Sequence, residues 1–320
     1  MKKQVLYLLL LLSAVLVFAA CDGEGGGGDR LIMATGGVAG TYYPFGGAMS
    51  TVINNHTDLN ITITSSGASA DNIQQIAAGD AQIAIVQNDV MGYAFTGTEI
   101  WTGDPVTNIA TLMSLYPETV QIVVLADSDI HSVTDLAGQR VSVGALGSGV
   151  AANANQVLTA YGMTTEDFTR FDLNFADSAS AMQDLNLDAF FVTAATPNTA
   201  VRELEYSRDL RLIPISEAAI QSMMTAHPFF VRVTVTDADY DFITTPIETV
   251  AVQATLIACT DSVSEQAAYD IVRALIENQA EVTEGHARGA YISLHNAVQS
   301  VSVDFHPGAR RFFEEQGVLN

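Results

Sequence analysis

Thr35-Gly36-Gly37-Val38-Ala39-Gly40-Thr41-Tyr42-Tyr43-Pro44 decides how this chain is read. It follows the apolar run Leu31-Ile32-Met33-Ala34, which predicts a strand, and precedes a stretch at residues 43–54 that predicts a helix. A glycine-rich turn between strand and helix lets the backbone approach a ligand closely. The free N–H groups at a helix start attract an anion or a carbonyl oxygen. Gly36 and Gly40 supply the open backbone, Thr41 a hydroxyl, and Tyr42 and Tyr43 an apolar wall with a polar tip. The spacing is not Gly-x-Gly-x-x-Gly, and no Gly-Lys-Ser/Thr follows, so neither a dinucleotide turn nor a phosphate loop is indicated.

Three further junctions repeat the pattern. Ser65-Ser66-Gly67-Ala68-Ser69-Ala70-Asp71-Asn72 joins a strand at 61–64 to a helix at 69–78, with Ser69 the natural N-cap. Val86-Gln87-Asn88-Asp89 closes a strand at 83–86, where side-chain amides can donate to a carboxylate or accept from an amine. Gly144-Ala145-Leu146-Gly147-Ser148-Gly149-Val150 opens a helix at 150–161 within a second series of strands, at 121–125, 141–143, 189–192 and 212–213. The tail holds a long strand at 250–258, a helix at 262–278 and a last helix ending near residue 316. Short strands alternating with helices predict βαβ units and a mostly parallel sheet. Two such series suggest two α/β lobes on a hinge, with a ligand cleft outside the carboxyl ends of the strands.

The length of 320 residues fits two domains, and 48% apolar residues give ample core. Thirteen cations against 36 acids leave a formal charge of −23, which excludes nucleic-acid binding by a basic face. Lys2 and Lys3 are the only lysines, and they precede an apolar run at 5–20 that ends Phe18-Ala19-Ala20-Cys21. A basic start, an apolar core and small residues before a cut predict a secretory signal peptide. Ala-Ala-Cys resembles the lipobox of bacterial lipoproteins, with Phe18 where Leu or Val is usual; the resemblance implies that Cys21 is the acylated first residue. Asp22-Gly23-Glu24-Gly25-Gly26-Gly27-Gly28-Asp29 is then a flexible polar leash. Cys259 has no partner once Cys21 is acylated, so it is expected as a buried small hydrophobe. Loss of both lysines takes the mature charge from −23 to about −25, read as a solvent adaptation that salt would relieve.

Residues 35–44, 66–72 and 87–89, together with Asp135-Leu136-Ala137-Gly138-Gln139-Arg140-Val141, Gly147-Ser148-Gly149 and 188–197, resemble the signatures of TAXI solute-binding proteins. These are the extracytoplasmic receptors of one branch of tripartite ATP-independent periplasmic (TRAP) transporters. The resemblance spans nearly the whole mature chain and implies a type II periplasmic-binding-protein fold. Lobe I would hold residues 31–120 plus 240–320 and lobe II residues 121–239, after a signal segment at 1–21 and a linker at 22–30. It further implies a small carboxylate or amino-acid ligand, of the glutamate, glutamine or 2-oxoglutarate class, delivered to a membrane permease. Contacts would fall on Thr41, Tyr42, Tyr43, Ser66, Gly67, Ser69, Gln87, Ser148, Gly149 and residues 193–198, with Thr193 and Asn198 bounding that last wall. No catalytic residue, cofactor or metal is implied. Val38 and Ala39 within the first loop, Val150 in place of a usual threonine and Ala195 in place of a frequent glycine depart from the family pattern.

Rival constellations are weaker. Asp237, Asp239, Asp241 and Glu248 imitate the spacing of a calcium loop, but Phe242 occupies the position that needs glycine. The six histidines show no His-x-x-x-His pair, and no Gly-x-Ser-x-Gly elbow is present. Trp101, Tyr93 and Phe95 read first as packing. Arg170, Arg202 and Arg211 are candidates for a charge-assisted contact with an anion. Two other classes stay open at this point: a secreted α/β hydrolase or transferase using the same cleft, and a sensory surface lipoprotein.

Overall fold

The computed structural model of the chain describes residues 30–319. The expected signal segment, Cys21 and the leash through Asp29 lie outside the described residues. From β1 (Arg30–Ala34) the chain alternates through α1 (Tyr42–His56), β2 (Asn60–Thr64), α2 (Ser69–Ala78), β3 (Ile83–Gln87) and α3 (Asn88–Thr96). β4 (Ile109–Leu125) is a strand of 17 residues, where the sequence reading begins a strand only at residue 121. There follow β5 (Arg140–Ser142), α4 (Gly149–Ala160), β6 (Thr169–Phe171), α5 (Phe175–Gln183), β7 (Ala189–Ala194) and α6 (Thr199–Glu205). Next are β8 (Leu210–Leu212), α7 (Glu217–Ala226), β9 (Val231–Val235) and the long β10 (Ile247–Cys259). α8 (Glu265–Glu277), α9 (Gln279–Gly285), α10 (Leu294–Ala297) and α11 (Pro307–Glu315) close the chain.

The ten strands among the described residues join one mixed sheet in the order β2-β1-β3-β10-β4-β7-β5-β6, with β8 on β4 and β9 on β10. The outer pairs, β1 with β2 and β3, and β5 with β6 and β7, are parallel as expected. The centre is antiparallel, which corrects the expectation of a mostly parallel sheet. The reason is topological: β4 carries the chain out of the first wing of the sheet and β10 brings it back, so they run in opposite directions. At the crossing Thr119 faces Ala251, Glu118 faces Val252 and Pro117 faces Gln253, and the register slips between Gln253 and Thr255.

The apolar cores sort along the same line. Met33, Phe45, Ile85, Met113, Tyr116 and Leu256 pack in one cluster with α8 residues such as Ile271 and Leu275. Ile122 and Val124, further along β4, pack instead with Val143, Val157, Phe191, Val250 and Val252 in a separate cluster. The two long strands therefore contribute to both cores, one on each side of the crossing. Burial of each such side chain contributes about 1.5–3 kcal/mol, so each wing has the means to hold its own shape. Among the described residues no helix is long and apolar enough to cross a membrane. Cys259 is buried, as a small hydrophobe at the end of β10.

Candidate functional site

A cavity of about 320 Å³ opens where the two wings face each other. Its walls come from residues at or just beyond the carboxyl ends of β1, β2, β3, β5, β6 and β7, with Glu118 added from within β4. That is where an open α/β sheet gathers its loops and helix N-termini. From the first wing come Gly36, Gly40, Thr41, Tyr42, Ser66, Gly67, Ser69 and Gln87; from the second come Ser148, Gly149 and Thr193. Eleven of the thirteen residues expected from the sequence thus share one cavity. Tyr43 and Asn198 do not line it. Tyr43 follows Tyr42 by one helical step, which turns it about 100° away. Asn198 is fully buried as the N-cap of α6, its Oδ1 accepting from Ala200 N–H at 3.0 Å.

Local structure explains how each group is presented. Ser69 is not an N-cap: Ala68 holds that position with φ 76°, and Ser69 begins the helix. The Ser69 hydroxyl instead accepts from Gln87 N–H at 3.1 Å, tying the start of α2 to the end of β3. Ser66 does the local bracing, accepting from Ala68 N–H at 3.0 Å and reaching Asn72 Oδ1 at 2.5 Å. Buried Asn72 in turn donates to the carbonyls of Thr35 (2.6 Å) and Ile85 (2.7 Å), pinning the first glycine turn to β3. Ser148 caps α4, accepting from Ala151 N–H at 3.2 Å.

The wings touch beside the cavity. The Gly147 carbonyl accepts from the N–H groups of Ala70 (3.0 Å) and Asp71 (3.2 Å), so the start of α2 is taken by a carbonyl of the opposite wing. Gly149 stands so close to Gln87 that a Cβ there would overlap the carboxamide. Behind these lies a chain of hydrogen bonds. Asn153 donates to Asp89 Oδ2 at 2.8 Å, Gln156 donates to the Tyr93 hydroxyl at 2.8 Å, and Tyr93 meets His227 Nδ1 at 3.0 Å. Burial pushes the Asp89 carboxyl up to about 6, against the opposing hydrogen bond from Asn153.

Glu118 escapes the sequence reading. It sits on β4 at the crossing, lines the cavity and is 2% exposed. The Tyr42 hydroxyl donates to its Oε2 at 2.6 Å. Burial holds this carboxyl well above the usual carboxylate range, and Tyr42's hydrogen bond only partly offsets it, while the charge of Asp89 adds to the rise. Burial likewise raises Tyr42 and Tyr116, with Glu118 adding to both. Asn174, Phe175 and Asp177 at the start of α5 escape it too; Asn174 Nδ2 donates to Asp177 Oδ2 at 2.7 Å. Only the break after β6 marks that turn in the sequence.

Among the described residues no lysine or arginine lines the cavity. The three candidate arginines are used elsewhere. Arg170 pairs with Asp172 at 2.7 Å, and Arg202 donates to the Asp239 carbonyl at 3.2 Å. Arg211 holds the carbonyls of Ala126 (2.8 Å), Ser128 (2.7 Å) and Ile130 (2.8 Å). Among the described residues no group of three or more His, Cys, Asp or Glu side chains gathers as metal ligands. Glu248 of the calcium-like spacing accepts from the Thr234 hydroxyl at 2.7 Å, and Asp239 accepts from Thr236 N–H at 2.9 Å.

Solved structures share this arrangement of strands and helices. A protein of Bordetella bronchiseptica RB50 is 15% identical, with a TM-score of 0.54 over 89% of this chain and 82% of its own. PhnD1 from Prochlorococcus marinus (MIT 9301), in complex with methylphosphonate, is 11% identical, with a TM-score of 0.53 over 81% and 89%. A structure described as a periplasmic transporter is 12% identical, with a TM-score of 0.54 over 89% and 91%. Likeness at such identities shows the fold, that of the periplasmic binding proteins. The family model described as NMT1-like family matches residues 33–317, from within β1 to beyond the last helix, and the chain belongs to that family.

Proposed function

We propose that this protein is an extracytoplasmic solute-binding receptor of the TAXI type, which captures a small carboxylate between its wings and hands it to a TRAP-type permease. The observation that carries the reading is the cavity itself, walled from both wings at the carboxyl ends of their strands and floored by Glu118 on a strand common to both. In this reading the wings are two lobes, residues 31–120 plus 240–320 and residues 121–239, and the crossing of β4 and β10 is the hinge. Ligand binding closes the hinge, and the permease recognises the closed form. The free amides at the start of α4, beside Gly149 and Val150, offer the carboxylate a seat, supported by the hydroxyls of Thr41 and Thr193. Phe175, Val38 and Val150 give the remainder of the ligand an apolar surround. The protein performs no covalent chemistry in this scheme. Acylated Cys21 and the glycine leash would tether it at the membrane surface.

Small-angle scattering across a panel of small carboxylates and amino acids tests the reading. A ligand should shrink the radius of gyration, and mass spectrometry should find the same compound released from denatured protein. No contraction with any member of the panel overturns it.

A further inference from the structure

The polar atoms of the cavity are unequal in kind. Among the described residues two carboxyl groups, Glu118 and Asp177, reach its wall and no lysine or arginine does. Gln87 Oε1, which can only accept, and Thr193 Oγ1 are buried without partners. Glu118 is engaged as an acceptor, from the Tyr42 hydroxyl. Gln87 Oε1 is therefore a buried acceptor that lacks a donor, which is costly, and the Thr193 hydroxyl can accept as well as donate.

We propose that the ligand carries a protonated amine and that Glu118 is the residue that reads it, with Gln87 Oε1 as a second acceptor. This rests on the cavity being the solute site, as proposed above. An ammonium group brings three donors and the positive charge that the wall lacks. The groups facing Glu118 prepare it for such a partner. Tyr42 from α1 favours the carboxylate, Asp89 from α3 opposes it, the neighbouring Tyr116 phenol is neutral, and Arg288 acts on Tyr116. In the empty site Glu118 keeps its proton, because burial of a lone carboxylate is unfavourable. An arriving amine keeps all its own protons, supplies the counter-charge and displaces one proton from Glu118 to solvent. Binding then releases a proton, and affinity rises with pH until Glu118 is ionised in the empty protein as well.

Calorimetry in two buffers of different ionisation enthalpy tests this, using the twenty amino acids and short diamines, each against its des-amino counterpart. Amine-bearing compounds should bind with proton release, and their counterparts, glutarate and 2-oxoglutarate among them, should not bind. Glu118→Gln, which keeps an acceptor for Tyr42, should weaken binding by about 30-fold or more and abolish the proton release while thermal stability holds. Tyr42→Phe should move the proton release to higher pH. A des-amino acid that binds as tightly, with affinity falling as pH rises, would mean that Glu118 donates its proton to a ligand acid, and overturns the proposal while leaving the receptor reading intact. Silence from both sets of compounds overturns both.

Discussion

Asp89 shows how one buried group fixes a pH response. Folded, it keeps its proton up to about 6, whereas the ordinary value is 3.8. Between these values the folded chain binds more protons than the unfolded one, so stability falls as pH rises through that window and is flat above it. The difference corresponds to about 3 kcal/mol at neutral pH. Asp89→Asn keeps an acceptor for Asn153 and removes the titration. Its melting temperature should match the parent near pH 4 and exceed it by about 5 °C at pH 7.5; parallel curves would refute this. The residues Gln87-Asn88-Asp89 show a strand exit but not which of the three faces the cavity; only the family resemblance singles out Gln87. Gln87 does face it, while Asp89 faces α4. Glu118 is invisible in the sequence for a related reason. In a chain with 36 acids no single carboxylate stands out until the fold buries it.

The glycine turns are legible because strand, glycine and helix start follow each other within a dozen residues. α2 lies at the predicted 69–78 and α1 within two residues of its expected bounds. β4 is cut short in the sequence reading because Pro117-Glu118-Thr119 interrupts its apolar run, and those are the residues at which it passes between the wings. α5, α6 and α7 lie beyond the clear alternation, so their turn residues carry little signal. The meeting of α4 with β3 makes a prediction at this scale. Gly149→Ala puts a methyl into the Gln87 carboxamide, so the wings cannot approach as closely. Each wing should keep its fold, judged by circular dichroism, while ligand-induced contraction in scattering is lost and affinity falls about 10-fold or more. Unchanged contraction would show that α4 does not set the closed distance.

Over the whole molecule the formal charge is −23, and the cations are nearly all arginine. Surface pairs such as Arg232 with Glu217 (2.6 Å) and the half-buried Arg273 with Asp270 (2.8 Å) offset little of it, since surface pairs contribute about 0–1 kcal/mol each. Self-repulsion should therefore weaken the fold at low ionic strength. The melting temperature should climb by several degrees from roughly 50 mM to 1 M sodium chloride, as the Debye length contracts from over 10 Å to about 3 Å. A flat or falling trend would reject this account of the acidity.

Pro117 and Gln253 face each other across β4 and β10, so residues 118–252 leave the first wing and return to it at one point. β10 also lies between β3 and β4 in the sheet. A ribosome therefore delivers β1, β2 and β3 early, yet the strand that joins them to β4 emerges only after the whole second wing has been made. The half of the molecule begun first is finished last. Until Cys259 has left the exit tunnel, the β3 edge at Ile83–Gln87 waits in the nascent chain without its neighbour, an exposure that a holding chaperone is suited to cover.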